Sequence, residues 1–541
     1  MKRYRLLLAI LMMLVIAGCR KDNPDENTPG AGFLRASGTN IVDGNGQGVL
    51  LKGVAFGNEV WSNSEVPLTH HDETDFARVK AMNMNVIRFY LNYHTFESDA
   101  APYTYKQSGW EWVDRNIAWA RKYGIRLILN MHAPQGGYQS QGNGDALWNE
   151  AENQNRLVAL WKAIADRYAD EPQIAGFGIL NEPVPALSLQ QWKQLAQRIT
   201  DSIRAVDRNH ILFIEKAIYI KGNYAEDENL NFPLTVDDNQ VAEFHFYEPH
   251  SYTHQLFDWA GLGDGGAYPD TDIISYTNHT WYSATFSNPS FPAGNTPWTW
   301  YEGVKFSISD PKMNIGIPAL VGAKAGGRVW FDDLVIREFN EAGFYTRDVI
   351  SSSLDEAGGW YYWSSDGSGE GGLAFEGHSN GQSLFISNTG SDCNLSNYSA
   401  AFVPKQGYSY QVCGWMKGEQ LAATSSCKMR IDFLTTPDPV LPRDKTLLAA
   451  RLGKYRDWAE SKQVPLFLGE FGAGMYCFIN NKGGLSWVGD VIDLSFQYNM
   501  SFCYHAYHED SFGLYYGYGT LPDPNHKNQP LIDLLTKKLS E

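Results

Sequence analysis

With 541 residues, 43% of them hydrophobic, the chain can build one large core and a second, smaller one, which excludes a small module stapled by disulfides or a metal. A formal charge of -17 at pH 7, with no Lys/Arg-rich run in the mature part of the chain, argues against nucleic acid as a partner and leaves neutral ligands open. Aromatic residues make up 14% of the chain, including 17 Trp and 30 Tyr, and such rings stack on the apolar faces of sugars as well as filling cores.

At the start, MKRYRLLLAILMMLVIAGCRKD places a basic segment before an apolar stretch and small residues just ahead of Cys19, the layout of a secretory signal. VIAGC resembles a bacterial lipobox, which implies removal of residues 1–18, lipid attachment to the sulfur of Cys19, and export with anchorage to a bacterial membrane, at the outer membrane or cell surface. Residues 19–32 are then a polar, Pro/Gly-containing flexible tether. No other segment is apolar enough to span a bilayer.

From residue 49 onward, short apolar runs alternate with longer amphipathic ones. The strand candidates are 49–56, 85–91, 125–132, 174–182, 211–215, 241–247, 464–470 and 501–507, and helices are predicted over 110–124, 155–170, 188–206 and 445–462. Strand-helix units of this kind lie on a parallel sheet, and eight of them close into an α/β (β/α)8 TIM barrel whose site is built at the C-terminal strand ends. The rhythm breaks between strands six and seven, where roughly two hundred residues are too many for a loop. Period-two patterning in GRVWFDDLVIRE, GQSLFISN, YSYQVCGWMKG and KMRIDFL predicts an antiparallel β-sandwich there. The expected domains are therefore a barrel over 33–279 and 441–541 and an inserted sandwich over 280–440. The inserted segments resemble the jelly-roll carbohydrate-binding modules in a rotated order, which a circular permutation spliced into a barrel loop would produce. Asp332 and Asp333 are candidates for a structural Ca²⁺ in it, and Trp298, Trp300, Trp360 and Trp363 are either platforms or core.

Reading the polar residues off the predicted strand ends gives Arg88, His132, Asn181 with Glu182, His245 with Tyr247, Glu470, and His505 with Tyr507, all on one face of a barrel. Glu182 and Glu470 are 288 positions apart yet hold equivalent places. Two converging carboxyl groups supply the acid and the nucleophile for cleavage of a glycosidic bond. A cation and a hydroxyl beside Glu470 favour its ionised form, while Glu182 must carry a proton for the leaving oxygen.

GILNEP, FHFYEPHSYTHQ and LFLGEFGA together resemble the acid/base, strand-six and nucleophile motifs of glycoside hydrolase family five, over residues 33–265 and 440–541. The resemblance implies a retaining β-glycoside hydrolase with Glu182 as acid/base and Glu470 as nucleophile. It further implies that Asn181 binds the sugar 2-hydroxyl, that Arg88 and Tyr247 hydrogen-bond Glu470, and that His132 and His245 line the subsite of cleavage. His505 stands where the family's usual pattern has a Trp, so sugar stacking there would be weaker or supplied by another ring. An endo-β-1,4-glucanase is expected, with β-mannanase, mixed-linkage glucanase and xyloglucanase as alternatives. A reading of another class is a surface glycan-binding lipoprotein of weak or lost activity. A polysaccharide or oligosaccharide is the expected partner, the protein is expected to be a monomer, and neither a catalytic cofactor nor a catalytic metal is implied.

Weaker signals point elsewhere. GLGDGG (261–266) has dinucleotide-loop spacing but no strand-turn-helix around it and reads as linker. The histidines of THHDE (69–73) read as a solvated loop before a helix, and the mature cysteines, Cys393, Cys413, Cys427, Cys477 and Cys503, match no metal-site spacing. No GxSxG nucleophile elbow occurs, which argues against a serine esterase.

Overall fold

The computed structural model describes residues 32–540 except 63–64, 141, 222–229, 231 and 389, so the signal segment, Cys19 and nearly all of the tether lie outside the described residues. Eight strands, β1 (Lys52–Phe56), β2 (Val86–Asn92), β3 (Arg126–Ala133), β4 (Ile174–Gly178), β5 (Ile211–Glu215), β6 (Gln240–Phe246), β7 (Leu466–Phe471) and β8 (Ser501–Tyr504), close into a barrel. Every neighbouring pair is parallel. Outside it run α1 (Glu73–Ala81), α2 (Gln107–Tyr123), α3 (Ala151–Tyr168), α4 (Leu189–Arg204), α5 (Lys445–Lys462), α6 (Gly484–Gln497) and α7 (Gln529–Leu539). Between β5 and β6 no helix occurs among the described residues.

Local chemistry sets these elements. In α4 the buried residues Trp192, Leu195, Ala196, Ile199 and Ile203 recur at helical spacing and form one stripe against the barrel. Helix α1 opens with a capping box, in which Asp72 accepts from the Thr74 N–H at 2.7 Å and Asp75 returns the bond to the Asp72 N–H at 2.8 Å. Helix α2 ends where Gly124 takes φ +63°. The histidines of the THHDE loop are buried, not solvated as their polar surroundings suggest. The rings of His70 and His71 pack on Phe56, and His71 bonds Asn116 at 2.6 Å.

The segment between β6 and β7 forms two antiparallel sheets. One has strands 280–284, 426–435, 315–323, 393–397 and 360–364 in that order. The other has 294–302, 409–421, 328–339, 383–387 and 370–374, with 306–307 and 345–352 pairing beside them. Leu320, Met429 and Ile431 from the first sheet and Phe331, Ile336 and Met416 from the second share one apolar core, the geometry of a sandwich. The two ends of this insertion pair with each other at its neck, Asp270–Ser275 against Leu441–Arg443. An insertion whose ends meet leaves the barrel ladder undisturbed. Trp360 packs on the sandwich core, whereas Trp363 is 56% exposed on the outer face. Asp332 accepts from the backbone N–H groups of Asp333, His378 and Ser379. All five described cysteines are buried free thiols.

Candidate active site

Side chains alternate along a strand, so every second residue faces the barrel axis and stacks into layers. The lowest layer is apolar: Val86, Ile128, Ile211, Val241, Phe467 and Cys503 form one cluster with Leu34 and Ile41 of the N-terminal hairpin. Two residues further along four of these strands stand Arg88, Asn130, Glu243 and Gly469, and two further still on three of them Tyr90, His132 and His245. The interior thus passes from hydrocarbon to charge to chemistry within two layers. Small residues make room for the middle layer. A Cβ on Gly469 would lie 2.1 Å from Glu243 Oε1, and one on Gly178 would lie 2.6 Å from Asn130 Oδ1.

Arg88 is fully buried and answers the polar groups around it. Its Nη1 donates to Glu470 Oε1 at 2.7 Å, its Nε to Glu243 Oε1 at 2.7 Å, and its Nη2 to Asn181 Oδ1 at 2.9 Å and Asn130 Oδ1 at 3.1 Å. Glu215 Oε2 lies 3.4 Å from the same Nη2. Glu470 also accepts from Tyr90 at 2.5 Å on Oε1 and from Tyr247 at 2.8 Å on Oε2. Burial pushes the Glu470 carboxyl up, but His245, His505 and Arg88 outweigh that penalty and hold it well below the usual carboxylate range. Burial also holds His132 well below an ordinary histidine. Its Nε2 pairs with the Tyr138 hydroxyl at 2.8 Å, and its ring stacks on Tyr90 at 3.8 Å.

Glu182 has a different setting. Strand β4 ends at Gly178, four residues earlier than its apolar run suggests, and the chain then turns so that Glu182 takes φ +45°, a left-handed conformation that a non-glycine residue adopts at a cost of order 1 kcal/mol. Its side chain is 17% exposed, against 5% for Glu470, and its one hydrogen-bond partner among the described residues is His245 Nδ1 at 2.9 Å. That same Nδ1 stands 3.5 Å from Glu470 Oε2, so one ring nitrogen sits between the two carboxyl groups. Burial lowers His245, and Glu215, Glu470 and Glu182 raise it further than that, to about 9. Oxygens of Glu182 and Glu470 lie within 4.8 Å of each other and of His245. Within the trio, His245 and Glu182 share the hydrogen bond, and Glu470 stands beside the same ring nitrogen as an ion-pair partner.

The residues face a cleft of about 1050 Å³ walled by Trp61, Tyr138, Tyr247, Trp259, Phe512 and Tyr518. Eight predicted site residues, Arg88, His132, Asn181, Glu182, His245, Tyr247, Glu470 and His505, are brought together at the barrel's C-terminal mouth. Asn181 spends its oxygen on Arg88 and leaves a buried Nδ2 without a partner. Tyr507 does not belong with them. Strand β8 ends at Tyr504, and Tyr507 turns behind the wall, where its hydroxyl donates to Asp75 at 2.6 Å. The linear reading passed over Tyr90, Asn130, Glu215 and Glu243. The first, second and fourth stand two positions from a named residue on the same strand, so period-two counting would have found them.

With this geometry in view, comparison with known proteins is informative. The family model described as Cellulase (glycosyl hydrolase family 5) matches residues 42–289. Endoglucanase C of Acetivibrio thermocellus is 31% identical over 191 residues, 35% of this chain and 53% of that protein. A beta-xylosidase of Phanerodontia chrysosporium is 30% identical over 223 residues, 34% of this chain and 46% of that protein. An endoglucanase of Paenibacillus polymyxa is 28% identical over 324 residues, 55% of this chain and 72% of that protein. The chain spans about half the length of the first two.

Proposed function

From a barrel whose family match is to the cellulases of glycosyl hydrolase family 5, we propose that the protein is a retaining β-glycosidase acting on a β-glycan, most simply an endo-β-1,4-glucanase. One observation carries this reading: two carboxyl groups in opposite environments, Glu470 held ionised and Glu182 half-open to the cleft, have oxygens within 4.8 Å of each other. A separation of about 5 to 5.5 Å suits double displacement, whereas about 6.5 to 9.5 Å admits a water and inverts.

In this mechanism the Glu470 carboxylate attacks the anomeric carbon while Glu182 gives its proton to the departing glycosidic oxygen. The C–O bond to the leaving sugar breaks as the bond to Glu470 forms. Water then attacks the same carbon, Glu182 takes its proton, and Glu470 leaves as a free carboxylate. Arg88, Tyr90 and Tyr247 hold the Glu470 oxygens in place, and the unpartnered Nδ2 of Asn181 is available to the sugar 2-hydroxyl. Since His505 offers little stacking area, the aromatic support for the sugar falls to other rings that line the cleft, Trp259 and the stacked pair Trp61 and Tyr518. Export and anchorage through Cys19 would place the enzyme where polymeric substrate is met.

The test is reducing-sugar release from cellulose, glucomannan, barley glucan and xyloglucan. Trapping of a 2-fluoroglycoside on Glu470, read by peptide mass, examines the covalent step. Wild-type protein that releases no sugar from any of them, or a label on another residue, overturns the reading.

A further inference from the structure

Below the reacting carboxyl groups lies a third glutamate that the mechanism above leaves idle. Glu215 ends β5, is 2% exposed, and has one oxygen on each side of the site's charge system: Oε1 is 3.4 Å from His245 Nε2, and Oε2 is 3.4 Å from Arg88 Nη2. His245 Nε2 makes no hydrogen bond, and Glu215 Oε1 faces it only as an ion-pair partner at 3.4 Å. On its far side, Nδ1 faces Glu182 at 2.9 Å and Glu470 at 3.5 Å. Carboxyl, imidazole and carboxyl therefore form a line from the barrel interior to the cleft, with a guanidinium behind the buried end. A buried glutamate lacking a full partner is costly, and one set against the ring that bridges the two reacting groups is placed where it can act on them.

We propose that Glu215 is a positioning residue of the reaction, which through its ion pair at Nε2 holds the His245 ring with Nδ1–H at Glu182, so that a donor stands ready for the carboxylate that forms there. The charge does change places. In the free enzyme it resides on Glu470; when Glu182 has given its proton to the leaving oxygen and Glu470 has become an ester, it resides on Glu182. The protonated ring gains and loses no proton in that exchange, and Nδ1, already nearer to Glu182 at 2.9 Å than to Glu470 at 3.5 Å, meets the new carboxylate where it stands. Without an acceptor at Nε2, the ring would shed that proton or rotate, and the newly formed Glu182 carboxylate would lose its donor.

The charged and titratable groups that face this pair are Arg88 and Tyr90 from β2, His132 from β3, Glu182 beyond β4, and Lys216 beside Glu215. From the other side come Glu243 and Tyr247 at β6, Glu470 at β7 and His505 at β8. Lys216 donates to the Ala217 carbonyl at 3.1 Å, and Glu243 is spent on Arg88 Nε. Of the two buried glutamates, Glu215 alone touches both the ring and the guanidinium.

The inference rests on the hydrolase reading, but one of its two readouts needs no substrate. Titration of His245 by histidine-selective NMR, with the resonance assigned by its loss in His245→Asn, should show Glu215→Gln losing the ring proton at a pH lower by about one unit or more. In parallel, Glu215→Gln should lower kcat by about ten- to a hundredfold at unchanged KM, with the alkaline limb of the profile moved the same way, and Glu215→Asp should move both part of the way back. Glu243→Gln, equally buried and bonded to the same Arg88, should leave the His245 titration in place. A titration unmoved in Glu215→Gln, or moved as far in Glu243→Gln, overturns the proposal. A shifted titration in a protein that hydrolyses no glycan upholds the positioning role and removes the hydrolase reading instead.

Discussion

The barrel and the inserted sandwich treat buried charge in opposite ways. In the sandwich, the two sheets share an apolar cluster, and each buried carboxylate has donors of its own: Asp332 takes backbone N–H groups, Glu338 takes Lys405 and Tyr410, and Asp432 takes Arg430. In the barrel, Arg88, Glu215 and Glu243 stand on the central axis, one layer above hydrocarbon. Charges there cost stability, since desolvation is not fully repaid by pairing. The difference teaches that the barrel's middle layer is arranged for the groups above it, whereas the sandwich is arranged to fold.

The sharpest way to break this comparison is at the reacting pair. Glu182→Gln should lower turnover on a natural glycan by about a hundred- to ten-thousandfold with wild-type thermal unfolding, and Glu470→Gln should lower it by at least as much. By contrast, Trp363→Ala on the outer face of the sandwich should leave turnover on a short soluble substrate unchanged. Next come the two interiors. Arg88→Leu should destabilise by roughly 3 to 5 kcal/mol in urea unfolding, because it strands buried carboxylates, and should also abolish activity. Phe331→Ala in the sandwich core should cost a similar ~3 to 5 kcal/mol, yet leave the specific activity of the folded fraction intact. Equal loss of specific activity in both would show that the regions are not functionally distinct.

A single hydroxyl gives a smaller effect. Tyr90→Phe removes a hydrogen bond to the charged Glu470, worth about 1.5 to 3 kcal/mol, so kcat/KM should fall by about ten- to a hundredfold. Finally, pH should separate the regions. The folded value of Glu470 is depressed, so its contribution to stability is present above the ordinary carboxylate range and is lost as pH falls through that depressed value. His245 is raised to about 9, so its contribution is complete below about 6.5 and is lost as pH rises through about 9. Unfolding midpoints measured from pH 5 to pH 10 should therefore decline between about pH 6.5 and about pH 9 in wild type and less steeply in His245→Asn.

Much of the site is legible along the chain because parallel strands present their C-terminal ends together. A polar residue that interrupts an apolar run, as in GILNEP or LFLGEF, marks the mouth of the barrel. The same logic misplaced Tyr507, since whether a strand continues after Tyr504 depends on the neighbouring loops, and the backbone N–H of Tyr507 turns to the Ala55 carbonyl. It also misjudged His70 and His71, whose polar neighbours in sequence say nothing of the Phe56 and Phe76 rings that bury them. Glu215 carries no comparable mark, since a glutamate closing an apolar run is as much at home on a solvated rim as at a buried site.

By itself, the sequence determined the alternation of strand and helix, the place of the insertion, and the residue types delivered to the barrel mouth, because local periodicity and strand direction are enough for those. Only the tertiary structure decided which oxygens meet Arg88, that one nitrogen of His245 stands between Glu182 and Glu470, and that Glu215 backs the other. Those contacts join strands that closure of the barrel brings together, and hydrogen bonds and ion pairs at 2.7 to 3.5 Å depend on register and layer spacing that no linear pattern carries.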